Sequence, residues 1–488
     1  MHFNAQRRIL TFLTCLMLLS LIPAPLVNYP LTVLSFGTLA VSILLLWRPT
    51  EPPLTILIVT YQWLQASTKL LHANVMGVPL DEMLVEGSFG ESHPVIGALS
   101  EATTFTLLGL LALVFGLAVG LRGARAKRPE RASAPEISEI SATVNGTRLV
   151  AATLLAMLVS VVLSRVQYVL PGGLTQIILP LINFKWALVF ALACSVLRGR
   201  RGYGWLLVIC GLEVLLGFAA YFSAWKEVIL VVVLAYFFCR PSFELRRIAA
   251  GAGLVAFGLA LAVFWTAIKV EQRLFLNEGT GQQVITRGTA ESLANAFDLA
   301  AATEPEEYRL ATLRLAERIA YVDYFANTLV HVPQVRPHEN GQLWWQAITH
   351  VFTPRIFFPD KPPLQSDSEQ TMYYTGLRLA SSSQGTSISL GYMAESYVDF
   401  GVPGMFVPIF LWGLLVGASL SQLVARFGPS DLVWGAAVVI ILSTLILEVS
   451  AVKMVGGTLM SIFVMFALLK FIGADIAGWV YPRRQSPA

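Results

Sequence analysis

Residues 102–121 are ATTFTLLGLLALVFGLAVGL, an apolar run without a charged side chain. About 20 helical residues cross the ~30 Å hydrocarbon layer of a bilayer, so this run predicts a membrane-spanning helix. Other runs reach or approach that length, and the complete series of twelve lies near 9–27, 31–47, 54–71, 102–121, 149–166, 180–197, 203–221, 226–239, 247–268, 401–423, 432–450 and 456–474. The sequence therefore predicts an all-α polytopic membrane protein with about 12 transmembrane helices.

The composition supports this class. Of the 488 residues, 56% are hydrophobic and 13% are charged, and the mean hydropathy is +0.66. A soluble globular domain carries about 25% charged residues, so a soluble enzyme is excluded and no nucleic-acid partner is expected. The cysteines lack metal-type spacing, and we expect them to be small buried hydrophobes without a structural disulfide. They are Cys15, Cys194, Cys210 and Cys239.

The basic residues predict the orientation of the spans. When the spans alternate, the arginines and lysines that flank them fall on one side of the membrane, which the positive-inside rule assigns to the cytoplasm. Both termini are then cytoplasmic, and the basic start predicts an uncleaved first span that acts as a signal anchor. The flanking cations are Arg7, Arg8, Arg48, Arg122, Arg125, Lys127, Arg128, Arg131, Arg198, Arg200, Arg201, Arg240, Arg246, Arg247, Arg426, Arg483 and Arg484.

This orientation divides the chain into three regions. Residues 1–268 form an N-terminal bundle of about nine spans, 269–400 a large extracytoplasmic loop between helices 9 and 10, and 401–488 about three more spans. Within the loop, apolar residues at three- and four-residue steps predict an amphipathic helix near 304–330. Arg314 and Arg318 are four residues apart and therefore share one face of that helix.

The loop contains TPRIFFPDKPP, residues 353–363, in which Arg355 and Lys361 stand among four prolines. Proline fixes φ, so we expect both cations to lie on a stiff, extended backbone. Neighbouring aromatic residues such as Trp345 and Phe358 are typical of a membrane interface. Fixed cations at such a surface suit a phosphate or diphosphate group, and they would stabilise charge on a departing diphosphate.

Further cations lie where the positive-inside rule predicts few of them. Arg165, Lys185, Lys226 and Lys453 are at or near the outer ends of their spans. Charge near the membrane is costly and is usually paired or functional, although each head group could instead extend to the outer surface. We expect these four to converge with the two cations of the proline-rich segment.

One carboxylate near the next span is suited to general-base chemistry. Glu395, just before the span that begins near Gly401, is the best candidate to remove a proton from a hydroxyl. The alternative is an acid favoured by the dipole at a helix start. His350 and Asp399 are second candidates for the base. No set of Asp, Glu and His has ligand-like spacing, so we expect chemistry without a metal or cofactor.

These segments resemble the Wzy-type oligosaccharide repeat-unit polymerases, the O-antigen polymerase family. In that family a Pro-Arg-x-x-Trp/Phe-Pro-x-Lys-Pro segment closes a large periplasmic loop, as residues 354–362 do here, with Phe358 where Trp is common. A Gly-x-x-x-Glu-x-Tyr-x-Asn-Phe-Gly segment then leads into the next helix, which matches 391–401 with Asp399 in place of Asn. A Gly-Ser-Arg turn of the family would map near Lys226, where Lys replaces Arg. The resemblance covers about 310–405.

The resemblance implies a GT-C-type glycosyltransferase of the bacterial inner membrane. Its substrates would be oligosaccharide repeat units on undecaprenyl diphosphate at the periplasmic face, polymerised into an O-antigen, capsule or exopolysaccharide. A flippase and a chain-length regulator of the same pathway would be its partners beside membrane lipid. Glu395 would activate the acceptor, with Arg355 also catalytic. The implied diphosphate ligands are Arg355, Lys361, Arg318, Arg314, Arg165 and Lys226, and further candidates are Lys185 and Lys453.

Two other functions share part of this pattern. An O-antigen ligase would use the same loop and cations but another acceptor. A transporter or flippase of polysaccharide or lipid would share the number of spans, but secondary transporters usually contain two related halves with sites at the membrane midplane. Here the halves do not match, and the polar residues concentrate in one loop. The sequence therefore favours the polymerase.

Overall fold

The computed structural model describes residues 2–48, 51–86, 88, 92–95, 97–123, 145–167, 172–219, 225–239, 245–280, 285–353, 358, 360–361, 364–379, 387–442 and 446–480. Two single-turn 3₁₀ helices and one pair of two-residue antiparallel strands, Val85–Glu86 with Ser92–His93, accompany the α-helices in these ranges. The α-helices are α1 His2–Leu21, α2 Tyr29–Leu46, α3 Leu54–Met76, α4 Ala98–Gly123, α5 Gly146–Val166, α6 Gly172–Asn183, α7 Lys185–Gly199, α8 Tyr203–Phe218, α9 Trp225–Cys239, α10 Leu245–Leu276, α11 Thr289–Ala302, α12 Pro305–Ile319, α13 Asp323–His331, α14 Gln342–Phe352, α15 Asp367–Thr375, α16 Tyr392–Gly404, α17 Phe406–Phe427, α18 Asp431–Leu442, α19 Ala451–Phe471 and α20 Gly473–Val480.

The chain is an α-helical membrane protein. Within the described ranges, seven helical segments are long and apolar enough to cross a membrane: Leu26–Leu46, Ala98–Arg122, Gly146–Val166, Gln176–Gly199, Ala249–Leu276, Phe406–Phe427 and Ala451–Phe471. Each of the twelve apolar runs in the sequence overlaps a helix. The other five runs fall on α1, α3, α8, α9 and α18, which do not meet the same length and hydropathy.

Helices α4 and α17 pack with their backbones in contact. Gly116 and Gly120 on α4 face Gly413 and Gly417 on α17. A Cβ atom added at Gly116 would lie 2.1 Å from a backbone oxygen of α17, and one at Gly413 would lie 2.4 Å from a backbone oxygen of α4. Pairs of small residues four apart permit such close approach between membrane helices. This contact joins the N-terminal and C-terminal spans.

Buried ion pairs connect elements that are distant in sequence. Arg198 at the end of α7 donates to both carboxylate oxygens of Asp431, at 2.8 and 2.6 Å. Lys69 on α3 bonds Asp323 at the start of α13 at 2.5 Å. Because both partners of each pair are largely buried, loss of one charge would leave the other uncompensated. The second pair fixes the region after α10 against the N-terminal bundle.

The described part of the region 269–400 contains the helices α11 to α15 and the start of α16. The single helix predicted near 304–330 is instead two helices, α12 and α13. Between them the amide of Tyr321 donates to the carbonyl of Gln65 on α3 at 3.1 Å, and the Tyr321 hydroxyl donates to the carbonyl of Ser389. These two bonds connect the break between α12 and α13 to distant parts of the chain. The local sequence pattern did not predict this break.

Helix α16 begins earlier than the sequence predicted. It starts at Tyr392, so Glu395 lies in its first turn rather than before a helix at Gly401. Gly401 has φ +60° and interrupts the helical backbone, and a Cβ added there would lie 3.1 Å from the ring of His338. A residue with a side chain would be strained at this φ. The chain turns here and continues into α17.

The short segment Leu447–Ser450 joins three parts of the fold. The amide of Leu447 donates to the side-chain oxygen of Gln65 on α3 at 2.8 Å, and the amide of Tyr392 donates to the carbonyl of Val449 at 3.0 Å. The Tyr392 hydroxyl also donates to Gln62 at 2.7 Å. The starts of α16 and α19 are therefore held together against α3.

Candidate functional site

A polar cleft of about 710 Å³ lies where α14, α15 and the first turn of α19 meet. Its described lining carries amide, carboxylate, hydroxyl and phenol groups. The lining residues are Glu339, Gln342, Leu343, Gln346, Leu364, Gln365, Ser366, Asp367, Gln370, Tyr373, Tyr374, Ser387, Ser450, Val452 and Lys453. Concave sites with a few convergent polar groups are the usual form of a small-molecule site, so this cleft is the candidate functional site.

Asp399 fixes the N-terminus of α14, the helix that forms one wall of the cleft. Its two oxygens accept from the backbone amides of Leu343 and Trp344, at 3.0 and 2.8 Å. The indole of Trp344 also donates to the hydroxyl of Ser396 at 3.0 Å. Burial raises the pKa of Asp399 above its usual value, and the two amide bonds oppose that rise. Its geometry is that of a helix cap supplied by α16.

Lys361 fixes the C-terminal end of the same helix. Its ammonium donates to the carbonyls of His350 and Thr353, at 2.8 and 3.0 Å. The last carbonyls of a helix carry partial negative charge, so a cation is favourable there. The sequence predicted Lys361 as a diphosphate ligand and Asp399 as a second candidate for the base. In the structure both side chains position the wall of the cleft. His350 takes part through its backbone oxygen.

Asp367, at the start of α15, is a lining carboxylate that accepts several hydrogen bonds. Its carboxylate accepts from the hydroxyls of Ser450 and Ser387, each at 3.1 Å, and from the ammonium of Lys453 at 2.5 Å. Lys453 itself lies in the first turn of α19 and remains exposed. A capping box at Ser366 begins α15 and orients Asp367 at the first position of that helix.

Glu339 is a second carboxylate of the lining and is half-buried. It accepts from the hydroxyl of Tyr374 at 3.0 Å. Burial, followed by the bond to Glu339, raises the pKa of Tyr374, so the phenol keeps its proton and donates. A carboxylate with one neutral donor at the surface of a cleft retains lone pairs for a bound hydroxyl.

Glu395 does not belong to the described lining of the cleft. Glu395 is 1% exposed, and its carboxyl group accepts from the backbone amide of Ala451 at 2.6 Å. Ala451 is the first residue of α19. Burial raises the pKa of Glu395 to about 8, the amide bond lowers it, and the nearby charges of Asp367 and Lys453 act in opposite directions. At neutral pH this carboxyl is therefore mostly protonated.

We expect the folded state to lose stability as the pH rises, and Glu395 to cause part of the loss. Its pKa is 4.5 in an ordinary environment and about 8 here. Between these two pH values Glu395 is deprotonated in the unfolded chain but still protonated in the folded protein. Its protonation therefore stabilises the folded state at low pH, and this stabilisation declines until the pH passes the folded-state pKa. Melting temperatures of the purified protein at about pH 6 and pH 8.5 measure this. In Glu395→Gln the decline should be smaller, and an equal decline would assign it to other groups.

A cationic group lies where α10 packs against α12. Lys269 and Arg273 are four residues apart on α10, and the amine of Lys269 is within electrostatic range of Arg273, Arg314 and Arg318. Arg314 and Arg318 are likewise four apart on α12, and both are exposed. In the part of the chain that the structure describes, Lys269, Arg314 and Arg318 have no ion pair with a carboxylate. This cationic group can hold an anion.

The cationic group and the cleft are neighbours through the segment that precedes α19. Helix α12 packs against α3, and the side-chain oxygen of Gln65 on α3 accepts from the amide of Leu447. Leu447 lies three residues before Ser450, which lines the cleft. A substrate with an anionic part and a polar part could therefore contact both.

A match to one protein family covers most of the chain. A family model described as Domain of unknown function (DUF8712) matches residues 55–472. The chain belongs to this family. No curated protein and no solved structure matches it significantly. The function of this DUF8712 protein is therefore argued from the chemistry of the cleft and the cationic group.

The predicted cations of the DUF8712 chain do not all lie together. Lys185 bonds Glu213 of α8 at 2.5 Å, and Lys226 lies exposed beside Glu227. Arg165 is exposed, and its guanidinium lies 3.4 Å from the Thr289 hydroxyl. Lys453 is at the cleft, and Arg314 and Arg318 share a face as predicted. Arg355 falls outside the described residues.

Sequence reasoning missed three parts of the site. Lys269, the first residue of the predicted loop, was given no role, although its four-residue spacing to Arg273 is the same signal that identified Arg314 and Arg318. Glu339 stands just before the Gly341 turn and had no distinguishing spacing. Asp367 was assigned no role from the sequence, because its partners Ser387, Ser450 and Lys453 are 20 to 86 residues away.

Proposed function

We propose that this DUF8712 protein is a membrane glycosyltransferase that polymerises undecaprenyl-diphosphate-linked oligosaccharide repeat units. The observation that carries the proposal is the pairing of a polar cleft with an adjacent cationic group. A lipid-linked glycan has the same two parts, a hydroxyl-rich chain and a diphosphate. The resemblance of residues 354–362 and 391–401 to Wzy-type polymerases agrees with this assignment.

We further propose that the chain spans a bacterial inner membrane about twelve times, with both termini in the cytoplasm. The distribution of flanking arginines supports that orientation. It puts the 269–400 region, and with it the cleft and the cationic group, at the periplasmic face. A flippase would deliver the repeat units there, and a chain-length regulator would act on the growing polymer.

The proposed reaction is a substitution at the anomeric carbon of the growing chain. An acceptor hydroxyl oxygen forms the new bond to that carbon while the bond from the carbon to the diphosphate oxygen breaks. The lipid diphosphate leaves with the electron pair, and the hydroxyl proton passes to a carboxylate. Arg314, Arg318 and Lys269 stabilise the negative charge on the leaving diphosphate, together with Arg355.

The geometry favours Glu339 over Glu395 as the proton acceptor. A general base must reach the proton that it removes, and Glu339 lines the cleft whereas Glu395 is buried and bonded to the amide of Ala451. Glu395 acts as a positioning residue in this scheme, because it holds the start of α19 against α16. The resemblance to the family instead implies that Glu395 activates the acceptor. The positioning role and the base role therefore predict opposite results for Glu395→Gln.

Polymer length in the producing bacterium tests the proposed function. With protein levels unchanged, we expect Arg355→Ala and Glu339→Gln to leave single repeat units on the lipid, as deletion of the gene would. Glu395→Gln preserves a neutral side chain that accepts from Ala451, so it should retain long chains if Glu395 only positions. Single repeat units in Glu395→Gln alone would transfer the base role to Glu395.

Normal long chains in the Arg355, Glu339 and Glu395 variants together would overturn the proposed function. A ligase gives a different result from a polymerase, since its loss leaves polymer on the lipid carrier rather than single units. Gel separation of the lipid-linked glycans distinguishes these outcomes.

A further inference from the structure

We propose that the cleft selects an uncharged oligosaccharide and disfavours acidic sugars such as uronic acids. This inference rests on the proposed function, because it names the class of glycan that the transferase accepts. It is carried by the donors, acceptors and charges of the described lining.

Four glutamines supply the polar surface of the cleft. Gln342 and Gln346 are one turn apart on α14 and both are exposed, and Gln365 and Gln370 approach from the segment that begins α15. Within the described residues, these four side-chain amides make no hydrogen bond to the protein. Each amide offers both donors and an acceptor, as does each hydroxyl of a sugar. The pattern therefore suits hydroxyl and N-acetyl groups.

An aromatic surface accompanies the amides. Tyr373 lines the cleft and is 40% exposed, and Tyr374 beside it is buried with its hydroxyl on Glu339. Aromatic faces with a polar edge suit ligands that are apolar on one side and polar on the other, as sugar rings are. Arg336 stacks on the Tyr373 ring at 4.0 Å and does not belong to the described lining.

The charge of the described lining is unfavourable for an anion. Glu339 and Asp367 are carboxylates, and the only cation among the described lining residues is Lys453, which bonds Asp367. The Asp367 and Lys453 charges offset each other, so Glu339 leaves a net negative charge. Proteins recognise carboxylates mainly through Arg and Lys, and no described lining residue supplies a free one. Arg336, on the Tyr373 ring, and the cationic group between α10 and α12 lie outside this described lining.

Glycan binding by the full-length protein in detergent tests this selectivity. The probe is an array of neutral hexoses and N-acetylhexosamine oligosaccharides, with matched oligomers that carry uronic acids. We expect the best neutral oligomer to bind at least tenfold more tightly than its uronic counterpart. The double variant Gln342→Ala/Gln346→Ala should weaken neutral binding at least tenfold, whereas Gln334→Ala, an exposed glutamine outside the described lining, should not change it.

A gain of function separates selectivity from loss of folding. Gln346→Arg introduces a cation on the α14 wall and should raise affinity for the uronic oligomers at least threefold. Equal or tighter binding of uronic oligomers by the parent protein, or no binding of any neutral oligomer, would overturn the inference. Polymer length in the Arg355 and Glu339 variants is measured separately in cells. A polymerase that accepts acidic repeat units would therefore contradict this inference and leave the proposed function intact.

Discussion

The double variant Arg314→Ala/Arg318→Ala should leave lipid-linked glycan almost entirely as single repeat units. These guanidiniums lie on one face of α12 opposite Lys269 and Arg273 of α10, with no carboxylate paired to Arg314 or Arg318 in the described chain. Their removal would take two charge-assisted contacts from a departing diphosphate. Contacts made by exposed cations contribute up to about 1 kcal/mol each, so the loss of both should reduce polymer formation by up to about 30-fold.

Arg309→Ala is the matched control for this prediction. Arg309 lies on the same helix and is exposed, but its guanidinium bonds Glu306 three residues earlier. Such surface pairs contribute little, so the variant should make polymer of normal length. Polymer is measured by gel separation and protein by immunoblot of the membrane fraction. Long chains in the double variant at normal abundance would exclude the cationic group from the reaction.

Gly413→Leu should prevent the chain from accumulating as a folded protein. Even a Cβ atom at this position would lie 2.4 Å from a backbone oxygen of α4, and the neighbouring backbone cannot rotate away as a side chain could. The helices would have to separate along the contact between Gly116, Gly120 and Gly417. Overpacking typically costs about 1–3 kcal/mol, and the cost is at the upper end where backbone atoms must move. Because α4 and α17 join the two halves of the bundle, the effect should be global.

Gly211→Leu on α8 is the corresponding control. Nothing lies within 4 Å of a Cβ atom added there, so the new side chain meets open space. Size-exclusion profiles and melting temperatures of the detergent-extracted proteins compare the two variants. We expect a monodisperse parent-like peak for Gly211→Leu and a greatly reduced peak for Gly413→Leu. Equal melting temperatures would show that the α4–α17 contact does not require glycine.

Local sequence patterns predicted the elements but not the partners of their polar residues. The i, i+4 spacing of Arg314 and Arg318 was sufficient to predict a shared face, and both are exposed on α12. The residue pattern and the resemblance to a polymerase family pointed to Lys361 and Glu395, and Asp399 was a second candidate for the base. Two of these turned out to hold the ends of α14, and the third accepts from the start of α19.

The sequence by itself determined that this is an α-helical membrane protein, since apolar length is a property of consecutive residues and acts through the bilayer alone. Only the tertiary structure decided that α14 presents Gln342 and Gln346 to a cleft, and that Glu395 is buried while Glu339 is half-exposed. The reason is physical: exposure and hydrogen-bond partners depend on residues far away in the chain. The amide of Ala451 that meets Glu395 is 56 positions along, and no local periodicity encodes that contact.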